Sequence, residues 1–165
     1  MVENSDHERL QPSLLDRLTD REPTQLKESR DERVIDIRRL REIVQRDLSW
    51  LLNTDNNDNL IDPEIYPHAA QSVLKYGVKE ISGDYSTTEK AELIRKSIQN
   101  AIETFEPRIR AGSVDVELRT NDVKRETIVA FDIRADMWAE PVPMELYLRS
   151  EVDVTTGEIS VERSM

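Results

Sequence analysis

Apolar residues recur at three- and four-residue steps through Val34, Ile37, Leu40, Val44, Leu48 and Leu51, which places them on one face of a helix. No glycine or proline interrupts the run, so the pattern predicts a long helix from about Ser29 to Leu52, about 36 Å at roughly 1.5 Å per residue. Its other face carries Arg38, Arg39, Arg41 and Arg46 among the acids Asp36, Glu42 and Asp47, which neutralise them, so a solvated or salt-bridged surface is expected there. Asn53 and the polar run to Asn59 end it. Upstream, Pro12 to Leu18 is a short apolar island with helical spacing, and residues 19–28, which include Pro23, read as a loop. Pro63 and Pro67 bracket a turn, and a second helix is expected from Pro67 to Tyr76 with Gly77 as its stop. Ser86 and Glu89 have capping-box spacing. They open a third helix, from about Thr88 to Phe105, with Leu93, Ile94, Ala101, Ile102 and Phe105 near one face and Ile98 between them.

Beyond Pro107 the period changes. Val114, Val116 and Leu118 alternate with Asp115, Glu117 and Arg119, and Val129, Phe131 and Ile133 alternate with Ala130, Asp132 and Arg134. Leu146 and Leu148 flank Tyr147, and Ile159 and Val161 flank Ser160. Period two is strand spacing with one buried face. About three helices followed by strands predict an α+β fold with an antiparallel sheet. Residues 1–11 are expected to be a flexible N-terminus, and residues 12–165 one domain.

Composition narrows the chemistry. Of the 165 residues, 37% are hydrophobic and 35% charged, so the core is modest and the solvated surface large. A net charge of −11 repels phosphate backbones and anionic lipid, which argues against nucleic acid and membrane insertion as partners. There is no cysteine, hence no disulfide, thiolate zinc site or cysteine nucleophile. Charges occupy the first ten residues, where a signal peptide needs an apolar run, and a cytoplasmic location is expected. Asp55, Asn57 and Asn59 begin like a calcium loop, but Leu60 stands where glycine is needed and Tyr66 where the last glutamate belongs. His7 and His68 have no second ligand or nucleophile in the sequence near them, and no phosphate-cradling glycine motif occurs. Acidic pairs are too plentiful for any two to mark a glycosidase. No catalytic, cofactor-binding or metal-binding residue is assigned.

The segment Phe105-Glu106-Pro107-Arg108-Ile109 is the most informative. Pro107 disfavours helical geometry at Glu106 and ends the third helix there. Glu106 is an acid at a helix C-terminus, where the macrodipole opposes negative charge. Two readings stay open: a helix stop with a local ion pair, and a rigid corner that offers an acid and a guanidinium to a partner. Arginine binds a carboxylate through two parallel hydrogen bonds, which gives orientation as well as affinity. On the docking reading the pair is exposed and worth about 0–1 kcal/mol, so loss of Arg108 leaves the fold nearly intact and weakens the partner contact; on the helix-stop reading its loss lowers stability.

These residues resemble a known family. Glu106-Pro107-Arg108 at a helix end is similar to the signature of the TssE-like baseplate subunits of type VI secretion systems, relatives of tailed-phage baseplate wedge proteins once labelled lysozyme-like. Ser13 to Leu18, Arg46 to Asn53 and Ser72 to Gly77 resemble further family segments in the same order, whereas residues 120–143 match none. The resemblance implies a structural protein with no cofactor, and Glu106, Pro107 and Arg108 as its protein-interaction residues. It implies docking on wedge proteins resembling TssF and TssG, neighbours such as TssK, and strand pairing with sheath proteins resembling TssB and TssC. The expected place is a cytoplasmic baseplate at an inner-membrane complex. The alternative is a peptidoglycan-hydrolysing, lysozyme-like enzyme.

Overall fold

The computed structural model describes residues 13–19, 23–24, 37–57, 60–70, 72–79, 87–119, 128–138 and 144–163. The expectations for residues 1–11, for a helix start near Ser29 and for a Ser86 cap lie outside these. The chain divides into two compact units, Met1–Val44 and Gln45–Met165.

In the first unit the described helices are α1 (Leu14–Leu18) and the opening turns of α2 (Ile37–Leu52). Leu14, Leu15 and Leu18 are exposed, and Leu40, Ile43 and Val44 are buried.

The second unit holds the rest of α2, then α3 (Pro67–Ala70), a 3₁₀ turn (Val73–Lys75), α4 (Thr87–Phe105) and four strands. These are β1 (Asp115–Leu118), β2 (Ile128–Met137), β3 (Met144–Asp153) and β4 (Ile159–Arg163), forming one antiparallel sheet in the order β1-β2-β3-β4. The α+β expectation holds, and so does most of the period-two alternation; Leu118, expected inside, is exposed, and Ala130, expected on the other face, is buried. Val116, Val129, Phe131, Ile133, Leu146, Leu148 and Ile159 are buried. β2 continues that face through Ala135 to Met137. Leu48, Leu51 and Leu52 of α2, and Ala91, Ile94, Ile98, Ala101 and Ile102 of α4, supply the helical share of the core. Leu93 departs from expectation: it is 39% exposed, one position outside the stripe that Ile94 and Ile98 define. Among the described residues no helix is long and apolar enough to cross a membrane.

The helix expected from Pro67 to Tyr76 is instead two short pieces. Ser72 restarts the chain, its hydroxyl accepting from Leu74 N at 3.3 Å, and the following turn is 3₁₀ rather than α. Gly77 does more than stop a helix. Asp55 and Val78 form a parallel bridge, with Val78 N donating to Thr54 O at 2.8 Å and Asn56 N to Val78 O at 3.0 Å. This draws residue 77 so close to residue 54 that a Cβ on Gly77 would lie 2.1 Å from Thr54 O, and its φ is +119°. The calcium-like Asp55 is thus part of a backbone bridge, and Asn57 Nδ2 donates to Leu74 O at 3.4 Å.

Gly77→Ala is expected to lower stability by at least about 1–3 kcal/mol, because both the backbone conformation and the space exclude a side chain. Gly112→Ala meets no atom within 4 Å and is expected to cost only the positive-φ penalty of about 1–2 kcal/mol. Urea unfolding of the two variants side by side measures the difference.

Candidate functional site

The corner after α4 is built by its neighbours on both sides. Glu106 N still donates to Ile102 O at 3.0 Å, so the helix hydrogen bonds run to the residue before the proline. Pro107 has no N–H to continue them, and Ile109 N turns back to Glu106 O at 3.1 Å. The chain then clamps onto the end of β2. Ile109 forms an antiparallel bridge with Met137, Arg110 N donates to Asp136 O at 2.8 Å, and Trp138 N donates to Arg108 O at 2.7 Å. Buried Ile109 anchors the turn in the core.

Within this frame the Glu106 carboxylate points inward and is only 5% exposed. Burying a carboxylate is costly unless it is paired, and Arg108 pairs it with the two-bond geometry that a guanidinium allows. Arg108 Nε donates to Oε1 at 2.6 Å and Nη2 to Oε2 at 2.5 Å, and the Arg108 backbone N donates to Oε1 at 3.1 Å. A second carboxylate arrives from α2, with Arg108 Nη2 donating to Asp47 Oδ2 at 2.7 Å. Asp47 Oδ1 accepts from Arg46 Nε at 2.9 Å and Nη2 at 2.6 Å. The Arg46 guanidinium in turn sits 4.9 Å over the ring of Trp50, which is 52% exposed. Burial opposes the charge on Arg108, but the hydrogen bonds and charge of Glu106, and then of Asp47, outweigh it and hold the guanidinium above its ordinary pKa. Tyr76 stacks edge-on against Phe105 with centroids 5.4 Å apart. Burial raises the Tyr76 pKa, and Asp47 and Glu106 add to the rise while Arg108 opposes it.

The sequence-assigned residues thus occupy different situations. Glu106 is inside, Pro107 is exposed, and Arg108 is between, its side chain 28% exposed. The ion pair is not the exposed one of the docking reading, and its burial is what the helix-stop reading expects. The salt-bridged reading of the α2 arginines fits the described pairs, Arg39 with Glu42 at 3.2 Å and Arg46 with Asp47. Sequence reasoning gave Asp47 only that surface role. The signal was available: Asp47 lies three residues after Val44 and four before Leu51, on the margin of the apolar stripe, where an acid needs a cation.

A family model described as baseplate wedge protein gp25 matches residues 38–142, well over half of the chain. The match takes in α2, the corner at 106–108, β1 and β2. No curated protein and no solved structure matches the chain.

Arg108→Met is expected to destabilise the protein by about 3–5 kcal/mol, because it strands the buried Glu106 carboxylate. The double variant Glu106→Gln with Arg108→Met is expected to recover part of that loss, and chemical denaturation of the mutant cycle reads the coupling. At alkaline pH, Tyr76 supplies a second test. Its folded pKa lies above the unfolded value of about 10. The unfolded state therefore loses its proton first, and stability falls as pH rises from the unfolded to the folded pKa. Tyr76→Phe is expected to flatten that fall in unfolding experiments across the alkaline range.

Proposed function

The chain belongs to the baseplate wedge protein gp25 family, which includes TssE-like proteins, and on that premise we propose that it is a non-catalytic baseplate subunit of a type VI secretion system. The family is a structural component of phage-tail-like baseplates. In the proposed role, residues 12–165 act as one wedge-like domain in the cytoplasm, within a baseplate docked at an inner-membrane complex. It docks on wedge proteins resembling TssF and TssG, beside TssK, and starts the contractile sheath by pairing strands with proteins resembling TssB and TssC.

The observation that carries the docking proposal is the division of labour in the corner. Glu106 acts from inside, fixing Arg108 by two hydrogen bonds. Pro107 and the outer part of Arg108 form the surface that a partner meets. Arg108 Nη1 has no partner among the described residues, which leaves a preoriented donor for an acceptor on the wedge. Little side-chain entropy remains to be lost there on binding, which favours affinity. The sheath role is supported by a four-stranded meander with two outer strands, since a sheet edge binds an extended segment by main-chain hydrogen bonds. A lysozyme-like reading needs a free acid in a cleft, and Glu106 is already held on both oxygens.

Relative to Pro107→Ala, which removes the ring alone, Pro107→Glu adds a charge to the surface of the corner. It is expected to weaken binding to the wedge complex by at least about tenfold, through a like-sign charge and lost contact beside Arg108, with little change in melting temperature. Calorimetry with the purified wedge proteins checks this, and unaltered affinity removes the corner from the interface. Incubation with peptidoglycan is expected to give no clearance; clearance abolished by one carboxylate substitution overturns the non-enzymatic reading.

A further inference from the structure

The bridge that clamps the corner to the end of β2 also sorts the side chains around it. Ile109 pairs with Met137 across an antiparallel bridge, and both are buried. Successive residues of a paired segment point to opposite faces. The flanking cross-strand neighbours are Arg108 with Trp138 and Arg110 with Asp136, held by Trp138 N donating to Arg108 O and Arg110 N to Asp136 O. These two pairs therefore lie on the face turned away from the core, and Trp138 is 65% exposed there. Directly opposed side chains of an antiparallel pair start about 4.5–5.5 Å apart. An indole thus stands beside the backbone of Arg108.

The guanidinium end of Arg108 leads to a second indole. It bonds Asp47 Oδ2, Asp47 Oδ1 accepts from Arg46, and the Arg46 guanidinium lies over the ring of Trp50. Asp47 and Trp50 are three residues apart on α2, and Arg46 and Trp50 four, spacings that keep them on one flank of the helix. The sequence holds two tryptophans, and both stand exposed along this one line of contacts. Two indoles left in water forgo the hydrophobic gain of burial. Tryptophan and arginine are also the residues enriched among the anchors of protein interfaces. Trp138 is fixed by its main-chain bond and Trp50 by its helix and the cation against it, so little freedom remains to be lost on binding.

The hydrogen bonds of the corner set what a partner must bring. Both oxygens of Glu106 and both of Asp47 already accept from arginine. Arg108 Nη1 keeps a donor among the described residues. With the acceptors engaged and a guanidinium donor left over, the complementary group is a carboxylate. We infer that Trp50 and Trp138 are paired anchors of the docking surface at the corner, and that the partner segment brings a carboxylate for Arg108 among bulky apolar side chains for the two indoles. The inference rests on the docking role proposed for residues 106–108 and names the side chains that carry its affinity.

Calorimetry of the full chain with the purified wedge proteins resembling TssF and TssG tests it. Trp50→Ala and Trp138→Ala are each expected to weaken binding at least about thirtyfold, the loss that marks an interface anchor. Their melting temperatures are expected to change little, because both side chains are exposed. Trp50→Phe keeps a ring against Arg46 and is expected to recover part of the affinity. Leu118→Ala removes an exposed apolar side chain opposite Phe131, at the far end of β2, and is expected to bind normally. Hydrogen exchange of the wedge proteins locates the segment protected by the chain but not by its Trp138→Ala variant. That segment is expected to contain an aspartate or glutamate among bulky apolar residues, and a segment without a carboxylate overturns the partner chemistry. Unchanged affinity of both tryptophan variants, with Pro107→Glu still weaker than Pro107→Ala, overturns the anchors and leaves docking at the corner in place. A loss at only one tryptophan, or an equal loss at Leu118, overturns the paired arrangement. No binding, or affinity indifferent to Pro107→Glu and to both tryptophan variants, overturns the docking reading and this inference with it.

Discussion

A carboxylate that is almost fully buried has to be neutralised where it sits, and in this protein the Glu106 carboxylate is neutralised by a guanidinium two residues away. The proline between them makes this possible. It ends α4 in a fixed backbone geometry, so that Arg108 curls back onto the acid. The same guanidinium reaches Asp47, which ties the corner to α2, while the backbone of 108–110 is bonded to the end of β2. One ion-paired group thus joins helix α4, helix α2 and the sheet. Buried pairs of this kind contribute modestly when intact and cost several kcal/mol when halved. Their value here is in fixing a single arrangement of the three elements.

That fixity bears on docking. In the proposed docking, a partner that meets Pro107 and Arg108 would find a surface already set from within, with Trp50 and Arg46 next in the same chain of contacts. The acid of the motif holds the guanidinium from inside without lying on the surface. The three adjacent residues thus divide into a buried acid, an exposed proline and a half-buried arginine, and the division is invisible until burial is known.

The sheet poses the opposite problem. An assembly protein that pairs strands must keep an edge available, yet an open edge invites self-association. Here amides carried by helices bond the main chain at both sides of the sheet: Gln99 of α4 donates to Val114 O, while Gln45 of α2 and Asn53 at its end bond Val161 and Ile159. These side-chain amides satisfy outward main-chain groups in the isolated protein as a neighbouring strand would.

Much of the architecture was legible in the chain. The three- and four-residue spacing of Leu40, Val44, Leu48 and Leu51, and the alternation through Val129, Phe131 and Ile133, are local consequences of helical and strand geometry, so sequence alone determined the element types and the buried faces. The Glu-Pro-Arg segment was legible as the key corner, because proline and charge at a helix end are local too. Other features needed residues far apart in sequence. Asp47 meets Arg108 across 61 positions, Asn53 meets Ile159 across 106, and Gly77 is required by the carbonyl of Thr54. No periodicity encodes such pairings. They exist because chain closure brings the groups together in a low-dielectric interior, where each polar atom must find a partner. That is why only the tertiary structure decided that Glu106 faces inward, that Pro107 is exposed while Arg108 is half-buried between Glu106 and Asp47, and that Gln45 and Asn53 bond the main chain of β4.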